Sequence, residues 1–409
     1  VIKTGSYVGN GSSTGPEINL GWEPQWVMVK RTDSTDNWAI YDVMRGITTG
    51  GTDNQLRADQ SAVEHTTGNT IAVTPTGFKF ETSGSEVNAN SGEYLYMAIR
   101  RPDGYVGKPV ETATSVFAMD TGSSSSTIPT YDSGFPVDFG LFRQPGTSES
   151  WYSCRRLTGA TEMKLNNNDA EQSMSLGVFD SNTGWSTSKG SSYQSWMWKR
   201  HAGFDVVTYE GNGVAGRPIP HSLNKTAEMV WVKCRTSSNS TIDWWVYHKG
   251  LDSGNQPETH YLRLNYADAE GDSSNIWHDT APTSTHFTVG SGSQLNNNGD
   301  TFIAMLFASV DGISKVGSYT GNGTTGQTIT TGFQPRFLLI KNTSNANNWF
   351  ILDTLRGWGS GNDNYLQLDK TDQQYAYNFG EPTSTGFSLT QGDIGSNQNG
   401  DNYIYYAHA

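Results

Sequence analysis

One pattern of strand-forming residues occurs four times in this chain, and it constrains the fold more than any local feature. The pattern is clearest in residues 25–46 and 336–357, it returns in residues 229–250, and a more divergent copy occupies residues 137–159. Every copy has two apolar runs separated by a turn rich in Ser, Thr and Asn. Because a repeat encodes the same structural unit each time it appears, the sequence predicts four equivalent units.

The two apolar runs of each copy are predicted to form a β-hairpin. In the first run Val27 and Val29 alternate with larger or charged side chains, and this period of two is typical of a strand. The second run opens on a tryptophan in every copy. These structural anchors of the repeat are Trp38, Trp151, Trp244 and Trp349.

Two further features complete the repeated unit. A Gly-Asn-Gly turn, where glycine can adopt positive φ, lies upstream of three hairpins, at residues 9–11, 211–213 and 321–323. An aromatic closing strand begins after Gly92, Gly190, Gly299 and Gly400. The closing strands recur roughly every 100 residues, which is far longer than the roughly 20 to 50 residues of a solenoid repeat. Each copy is therefore predicted to be a small β domain of its own.

The predicted fold is all-β, with four tandem antiparallel β-sandwich domains of jelly-roll type, each about 100 residues long. The predicted domains are residues 1–101, 110–201 (the divergent copy), 202–310 and 311–409. A Gly/Pro-rich segment from Pro102 to Pro109 is the predicted linker between the first two. Because such linkers are short, we expect a stiff string of domains.

Charge and hydropathy argue against binding to nucleic acid and against insertion into a membrane. The formal net charge is −13, and no run of Lys or Arg exceeds two residues. No apolar stretch approaches the roughly 18 residues of a membrane-spanning helix, and no signal-peptide pattern is present. The start at Val1 instead of Met suggests a fragment or a processed product. The two cysteines, Cys154 and Cys234, occupy non-equivalent repeat positions and are predicted to be small core residues.

Two charged pairs are the best candidates for chemistry, and they are interpreted as structural. The pairs are Asp42 with Arg45 and Asp353 with Arg356. Their three-residue spacing allows contact across one turn, but other copies replace the aspartate by Arg155 or His248. The eight histidines lack zinc-ligand spacing, and no nucleophile elbow or P-loop appears. We therefore predict no enzyme activity and no cofactor.

Two kinds of ligand remain open on the sequence alone. Acidic, Asn-rich loops at residues 33–37, 166–169 and 362–364 offer oxygen ligands, so a structural Ca²⁺ is an alternative to solvated loops. A glycan would need aromatic platforms beside polar residues. Most tryptophans fall at repeat positions and are assigned to the core, whereas Trp277 and Trp358 have no equivalents and lie among Asn, Gly and Asp. These two are the candidate exposed ligand contacts, with packing as the alternative.

The sequence motifs shared by the copies of the repeat resemble those of a known family of virion proteins. The relevant motifs are Gly-Phe-Gln-Pro-x-Phe-x-x-Ile-Lys at Gly332 to Lys341, Asn-Trp-x-Ile-x-Asp at Asn348 to Asp353, and Gly-Asp-x-Tyr-Ile at Gly400 to Ile404. Together with Tyr-x-Gly-Asn-Gly they resemble a repeat of tailed-bacteriophage appendage proteins, above all tail fibres of phages that infect marine bacteria. The resemblance covers the first, third and fourth units and is fainter in the second.

That resemblance implies a concanavalin-like jelly roll in a non-enzymatic structural protein on the virion surface. It also implies a tail fibre or spike that contributes to host attachment through surface loops, a homotrimer, contacts with other virion proteins, and a host surface glycan as a candidate receptor. One alternative is a capsid or tail decoration protein that binds only virion subunits. A less favoured one is a polysaccharide-binding or polysaccharide-degrading protein, and degradation would require a cleft with paired carboxylates.

Overall fold

The computed structural model describes residues 2–100, 112–124, 127–174, 177–236, 243–390, 392–393 and 395–409. Over these residues the chain forms strands joined by loops and short helical turns, and the strand pairings are antiparallel. The predicted all-β fold is therefore confirmed. The linker predicted at Pro102 to Pro109 lies outside the described residues.

The first unit has a six-stranded and a three-stranded sheet. Its elements are β1 (Ile2–Val8), β2 (Glu17–Asn19), β3 (Trp26–Arg31), β4 (Trp38–Asp42), β5 (Asp53–Arg57), β6 (His65–Thr67), β7 (Ile71–Thr74), β8 (Gly77–Phe80), the short helix α1 (Ser85–Asn88) and β9 (Glu93–Ile99). The large sheet has the order β1-β9-β3-β4-β5-β6, and the small sheet has the order β2-β8-β7. The predicted hairpin is the pair β3 and β4.

The second unit repeats this arrangement. Its strands are β10 (Phe117–Thr121), β11 (Tyr131–Asp132), β12 (Phe139–Arg143), β13 (Tyr152–Arg155), β14 (Gly159–Lys164), β15 (Gln172–Ser173), β16 (Gly177–Val178), β17 (Gly184–Thr187) and β18 (Gln194–Trp198), with 3-10 turns at Ala113–Ser115 and Arg156–Thr158. The large sheet has the order β10-β18-β12-β13-β14-β15, and the small sheet has the order β11-β17-β16.

The third unit keeps the large sheet and reduces the small one to two strands. Its elements are β19 (Phe204–Glu210), β20 (Arg217–Pro220), β21 (Met229–Cys234), β22 (Trp245–His248), β23 (His260–Arg263), β24 (Gly271–Asp272), α2 (Ser274–Trp277), β25 (His286–Val289), α3 (Ser293–Asn296) and β26 (Thr301–Phe307), with 3-10 turns at Leu251–Gly254 and Pro257–Thr259. The orders are β19-β26-β21-β22-β23-β24 and β20-β25.

The fourth unit returns to the pattern of the first. Its strands are β27 (Ser314–Thr320), β28 (Gln327–Thr330), β29 (Phe337–Asn342), β30 (Trp349–Asp353), β31 (Asp363–Gln367), β32 (Tyr375–Tyr377), β33 (Pro382–Thr383), β34 (Gly386–Leu389) and β35 (Asn402–His408), with a 3-10 turn at Thr354–Arg356. The orders are β27-β35-β29-β30-β31-β32 and β28-β34-β33.

The Gly-Asn-Gly turns are held by a buried asparagine from the loop before the closing strand. In the first unit the side-chain amide of Asn88 donates to the carbonyl of Ser12, and its oxygen accepts from the backbone N–H of Asn10. Asn296 and Asn397 make the equivalent bonds in the third and fourth units. A Cβ on Gly9 would lie 2.2 Å from a backbone oxygen of this loop, so the turn requires glycine.

The central strands of the large sheets differ in burial between the first unit and the other three. In β3 the buried residues alternate with half-exposed ones, whereas β12, β21 and β29 are buried on both faces. A sandwich accounts for only one buried face, because the small sheet covers only one side of the large sheet. The outer face of the large sheet is therefore also covered in the second, third and fourth units.

These three units cover one another in a closed cycle. The anchor tryptophan of each donates its indole N–H to a backbone carbonyl at the end of the fifth repeat strand of another unit. The hydrogen bonds run from Trp151 Nε1 to Gln367 O (2.8 Å), from Trp349 Nε1 to Arg263 O (3.0 Å) and from Trp244 Nε1 to Lys164 O (2.8 Å). Thus the second unit contacts the fourth, the fourth contacts the third, and the third returns to the second.

A basic side chain at the end of the third repeat strand follows the same cycle. The contacts run from Arg143 Nη2 to Asp372 O (2.8 Å), from Lys341 Nζ to Ala267 O (3.4 Å) and from Lys233 Nζ to Asn167 O (2.9 Å). Head-to-tail contacts that close after three steps make a ring with approximate threefold symmetry. The expectation of a string of domains is therefore wrong, because the outer sheet faces are apolar and bury one another.

The two ring lysines predict an unusual dependence of stability on pH. Burial lowers the pKa of Lys233 to about 7 and that of Lys341 to about 8, against about 10.4 in an unfolded chain. Between the pKa of each lysine in the folded chain and its pKa of about 10.4 in the unfolded chain, the unfolded chain binds more protons than the folded chain. The free energy of unfolding therefore rises with pH over that range. We expect it to rise between about pH 7 and 8.5 by up to about 1.4 kcal/mol per pH unit for each lysine.

Urea unfolding at closely spaced pH values measures this slope. Lys233→Met and Lys341→Met should each flatten it, while Lys225→Met, which removes an exposed lysine, should leave it unchanged. A free energy of unfolding that stays constant or falls over this pH range in the unmodified protein would contradict the burial of the Lys233 and Lys341 amino groups in the ring.

Candidate functional site

The two tryptophans proposed from the sequence as exposed ligand contacts are both buried. Trp277 is 2% exposed and packs edge-on against Tyr247 inside the third unit. Trp358 is 4% exposed, donates its indole N–H to the carbonyl of Gly380 at 2.9 Å and lies against Phe387. Of the two alternatives that the sequence left open, the structure shows packing for both, because an indole in a polar, glycine-rich loop folds back to bury its large apolar surface.

The anchor tryptophans divide into two classes. Trp151, Trp244 and Trp349 are at most 1% exposed at the ring interfaces, whereas Trp38 of the first unit is 38% exposed. Sequence position alone did not distinguish them, because all four open the same repeat strand. The difference arises from what covers the outer face of each large sheet.

The two Asp/Arg pairs form the same local ion pair. In the fourth unit Asp353 accepts from the backbone N–H of Arg356 at 2.9 Å and from its Nε at 2.7 Å. The corresponding distances from Arg45 to Asp42 in the first unit are 2.9 Å and 2.6 Å. Asp353 also accepts from the indole of Trp196, at 3.0 Å, across the ring. Each aspartate is thus fully engaged in stabilising a turn.

The acidic loops considered for Ca²⁺ have protein donors on their carboxylates. Asp33 accepts from Nε of Arg31 at 2.6 Å, Asp169 from Lys164 at 2.8 Å, and the buried Asp363 from the backbone N–H groups of Gly359 and Phe379. Within the described residues no group of three or more His, Cys, Asp or Glu side chains is arranged to hold a metal ion. The two cysteines are unpaired and buried.

The first unit docks on the ring at the seam between the second and third units. Arg200, which follows β18, donates from Nη1 and Nη2 to Glu23 of the first unit at 2.6 and 2.7 Å, and from Nε to Asp205 of β19 at 2.7 Å. Arg200 is 4% exposed and Asp205 is fully buried. Burial raises the pKa of Glu23, and Arg200 partly offsets that rise. One buried guanidinium therefore joins three units.

A cleft of about 520 Å³ opens beside this network, between the first and third units. Its lining includes Trp22, Glu23, Pro220, His221, Asn224 and His286. The indole of Trp22 is half-buried and remains partly available to solvent. A half-buried aromatic ring beside imidazole and amide groups combines the apolar surface and the polar atoms that a sugar ring contacts.

The polar groups of the cleft are positioned by their own loops. His221 accepts at Nδ1 from the backbone N–H of Leu223 at 3.2 Å, which leaves Nε2 to donate to the carbonyl of Thr283 at 3.3 Å. Burial lowers the pKa of His221, so the ring is neutral at pH 7. His286 contacts the hydroxyls of Thr283 and Thr285 through Nδ1, both at 3.1 Å. The two imidazoles are thus fixed by hydrogen bonds.

The described lining of the cleft lacks the pair of carboxyl groups that glycoside hydrolysis uses. Glycoside hydrolysis uses two carboxyl groups that flank the scissile bond. Glu23 is the only acidic side chain among the described residues that line the cleft, and Arg200 holds both of its oxygens.

No local motif in the sequence predicts this cleft. Trp22 and His286 belong to different units and are brought together only by the docking of the first unit on the ring. Trp22 occupies the repeat position of Phe333 in the fourth unit, and tryptophans at repeat positions are predicted to lie in the core, as Phe333 does at 8% exposure. A polar neighbour such as Glu23, next to an aromatic repeat position, was the one signal available.

A family model described as Domain of unknown function (DUF7483) matches residues 2–101 and 152–409. The chain belongs to this family. The unmatched stretch, residues 102–151, holds the predicted linker and the start of the second unit, which is the most divergent copy of the repeat. No curated protein matches this member of the family. Among its described residues, no helix has the length and apolar character needed to cross a membrane.

Proposed function

We propose that this protein is a non-enzymatic structural component of a bacteriophage virion, namely a tail fibre, spike or other appendage that contributes to host attachment. The resemblance of the repeat to phage appendage proteins supports this role. The closed ring also supports it, because three units that bury one another hold their surface loops in fixed positions.

The cleft between the first and third units is the observation that carries the binding role. It offers the half-exposed indole of Trp22, the imidazoles of His221 and His286, and the amide of Asn224 in a space of about 520 Å³. Such a volume accommodates one or two sugar rings, since ligand pockets span roughly 300 to 1,000 Å³. The proposed ligand is a glycan of the bacterial surface, bound with its apolar ring face on Trp22.

The experiment is binding of the fluorescently labelled protein to a glycan array and to a panel of marine bacteria. Trp22→Ala should abolish saturable binding, because one stacked aromatic supplies much of the affinity for a sugar. Tyr375→Ala is the matched control, since Tyr375 is an exposed aromatic residue of the fourth unit outside the cleft. That variant should bind as the unmodified protein does.

Each other outcome points to a different function. Absence of binding to glycans and cells, with tight association with purified phage capsids or tails, would favour a decoration protein that contacts only virion subunits. Release of reducing sugars from a polysaccharide would favour a degrading enzyme. Glycan binding that survives Trp22→Ala would place the receptor site elsewhere on the surface.

A further inference from the structure

The first unit carries the same sheet face that closes the ring of the other three units. Lys30 and Trp38 are cross-strand partners on this face, as Lys341 and Trp349 are in the fourth unit. The backbone N–H of Trp38 donates to the side chain of Asp59 at 3.1 Å, and that of Trp349 donates to Asp369 at 3.0 Å. The local geometry around the anchor tryptophan is therefore conserved between a covered face and an uncovered one.

In the first unit no other part of the described chain covers this face. Leu95 is 51% exposed, whereas Ile404, which occupies the same place beside the basic residue of the fourth unit, is 1% exposed. A shallow groove of about 430 Å³ runs over the face, lined by Met28, Trp38, Leu95 and Met97 among others. A tryptophan, a leucine and two methionines together on one sheet face form the kind of apolar patch that marks an interface.

The first unit also carries the surface that receives such a face. In the ring, the carbonyl of Gln367 accepts from the backbone N–H of Lys370 at 3.3 Å and from the indole of Trp151 at 2.8 Å. The equivalent carbonyl of the first unit belongs to Arg57, at the end of β5, and it accepts from the backbone N–H of Gln60 at 3.3 Å. The same turn is thus formed, and within the described ranges no second donor reaches the Arg57 carbonyl.

We propose that the outer face of the first unit joins three copies of this chain in a ring of the same kind. In each contact the indole N–H of Trp38 donates to the carbonyl of Arg57 in the neighbouring copy. Leu95 and the two methionines of the groove are buried in the same contact, and Lys30 reaches the neighbouring loop after β5.

The ring formed by the second, third and fourth units indicates both what binds the outer face of the first unit and how many copies assemble. The face fits an edge of the same repeat, and a second copy of the chain supplies that edge. The contact is head-to-tail, and in the second, third and fourth units it closes after three steps. The assembly therefore contains three copies. This inference does not depend on the cleft or its ligand.

Sedimentation equilibrium of the full chain at about 50 micromolar tests the proposal. We expect a mass three times the 44.7 kDa of one chain. Leu95→Glu places a charge in the centre of the face and should reduce the mass to that of one chain. Because Leu95 is exposed within its own unit, the substitution should not destabilise the fold. The variant should therefore unfold at the same urea concentration as the monomeric form of the unmodified chain.

Val214→Glu is the matched control, since Val214 is 61% exposed and lies in the third unit, in the loop between β19 and β20. It should remain trimeric, and Trp38→Ala should dissociate like Leu95→Glu. A monomeric or dimeric mass for the unmodified chain would overturn the proposal. So would a trimer that persists in both Leu95→Glu and Trp38→Ala, because the copies would then associate through another surface.

Discussion

Replacement of Trp244 by alanine is expected to destabilise the protein by about 3 to 5 kcal/mol, the range found when a large buried aromatic is truncated. Trp244 is fully buried where the third unit meets the second, and its indole N–H donates to the carbonyl of Lys164 at 2.8 Å. Truncation leaves a cavity at the interface and a partly buried carbonyl without that donor. Equilibrium unfolding in urea, followed by tryptophan fluorescence, measures the loss.

Trp38→Ala is the matched control for this prediction, because Trp38 occupies the same repeat position on the uncovered face. In the Leu95→Glu background, where we expect a monomer, it should cost no more than about 1 kcal/mol. A similar loss for both substitutions would mean that the tryptophan stabilises its own hairpin and not the ring. A negligible loss for Trp244→Ala would contradict the ring itself.

Replacement of Arg200 by methionine is expected to lower the free energy of unfolding by about 3 to 5 kcal/mol, the loss typical when one partner of a buried ion pair is removed. Arg200 donates to Glu23 of the first unit and to Asp205 of the third, and methionine supplies none of these hydrogen bonds. Two carboxylates then remain in the seam without their cation. Urea unfolding measures the loss, and limited proteolysis should show the first unit released before the ring is cut.

Lys249→Met provides the comparison for a solvent-exposed ion pair. Lys249 contacts Glu228 at 2.6 Å, but its side chain is 37% exposed. Such pairs contribute at most about 1 kcal/mol, because water solvates both charges well in their absence. If Arg200→Met costs as little as Lys249→Met, the seam is open to water and the first unit is not held by a buried charge.

The strands and their repeats followed from the sequence, while the relation between the units did not. Alternation predicted β3 correctly, since Val27 and Val29 face the small sheet. The run from Phe337 to Ile340 is apolar without alternation, which is typical of a strand buried on both faces. As a copy of the alternating pattern of β3, the same run predicts only one covered face, so the repeat by itself does not predict the second covered face or the ring.

The candidate site was harder to predict than the fold, for reasons of distance and context. The cleft joins Trp22 to His286 only after the first unit docks, and no local pattern encodes a contact between residues so far apart in the chain. The sequence left ligand contact and packing open for Trp277 and Trp358, because polar neighbours in sequence do not determine where an indole points. The small sheet and its loops provide both with an apolar surrounding.

The closed cycle of three units has a consequence for how the chain uses its symmetry. A ring of three identical, separate subunits would present the same seam three times. Any further domain that binds one seam would then bind all three. Here each of the three seams is formed by a different part of one polypeptide, so the seams differ in sequence. The first unit binds at one of them, where Arg200 donates to Glu23. This docking at a single seam fixes where the cleft lies in each chain.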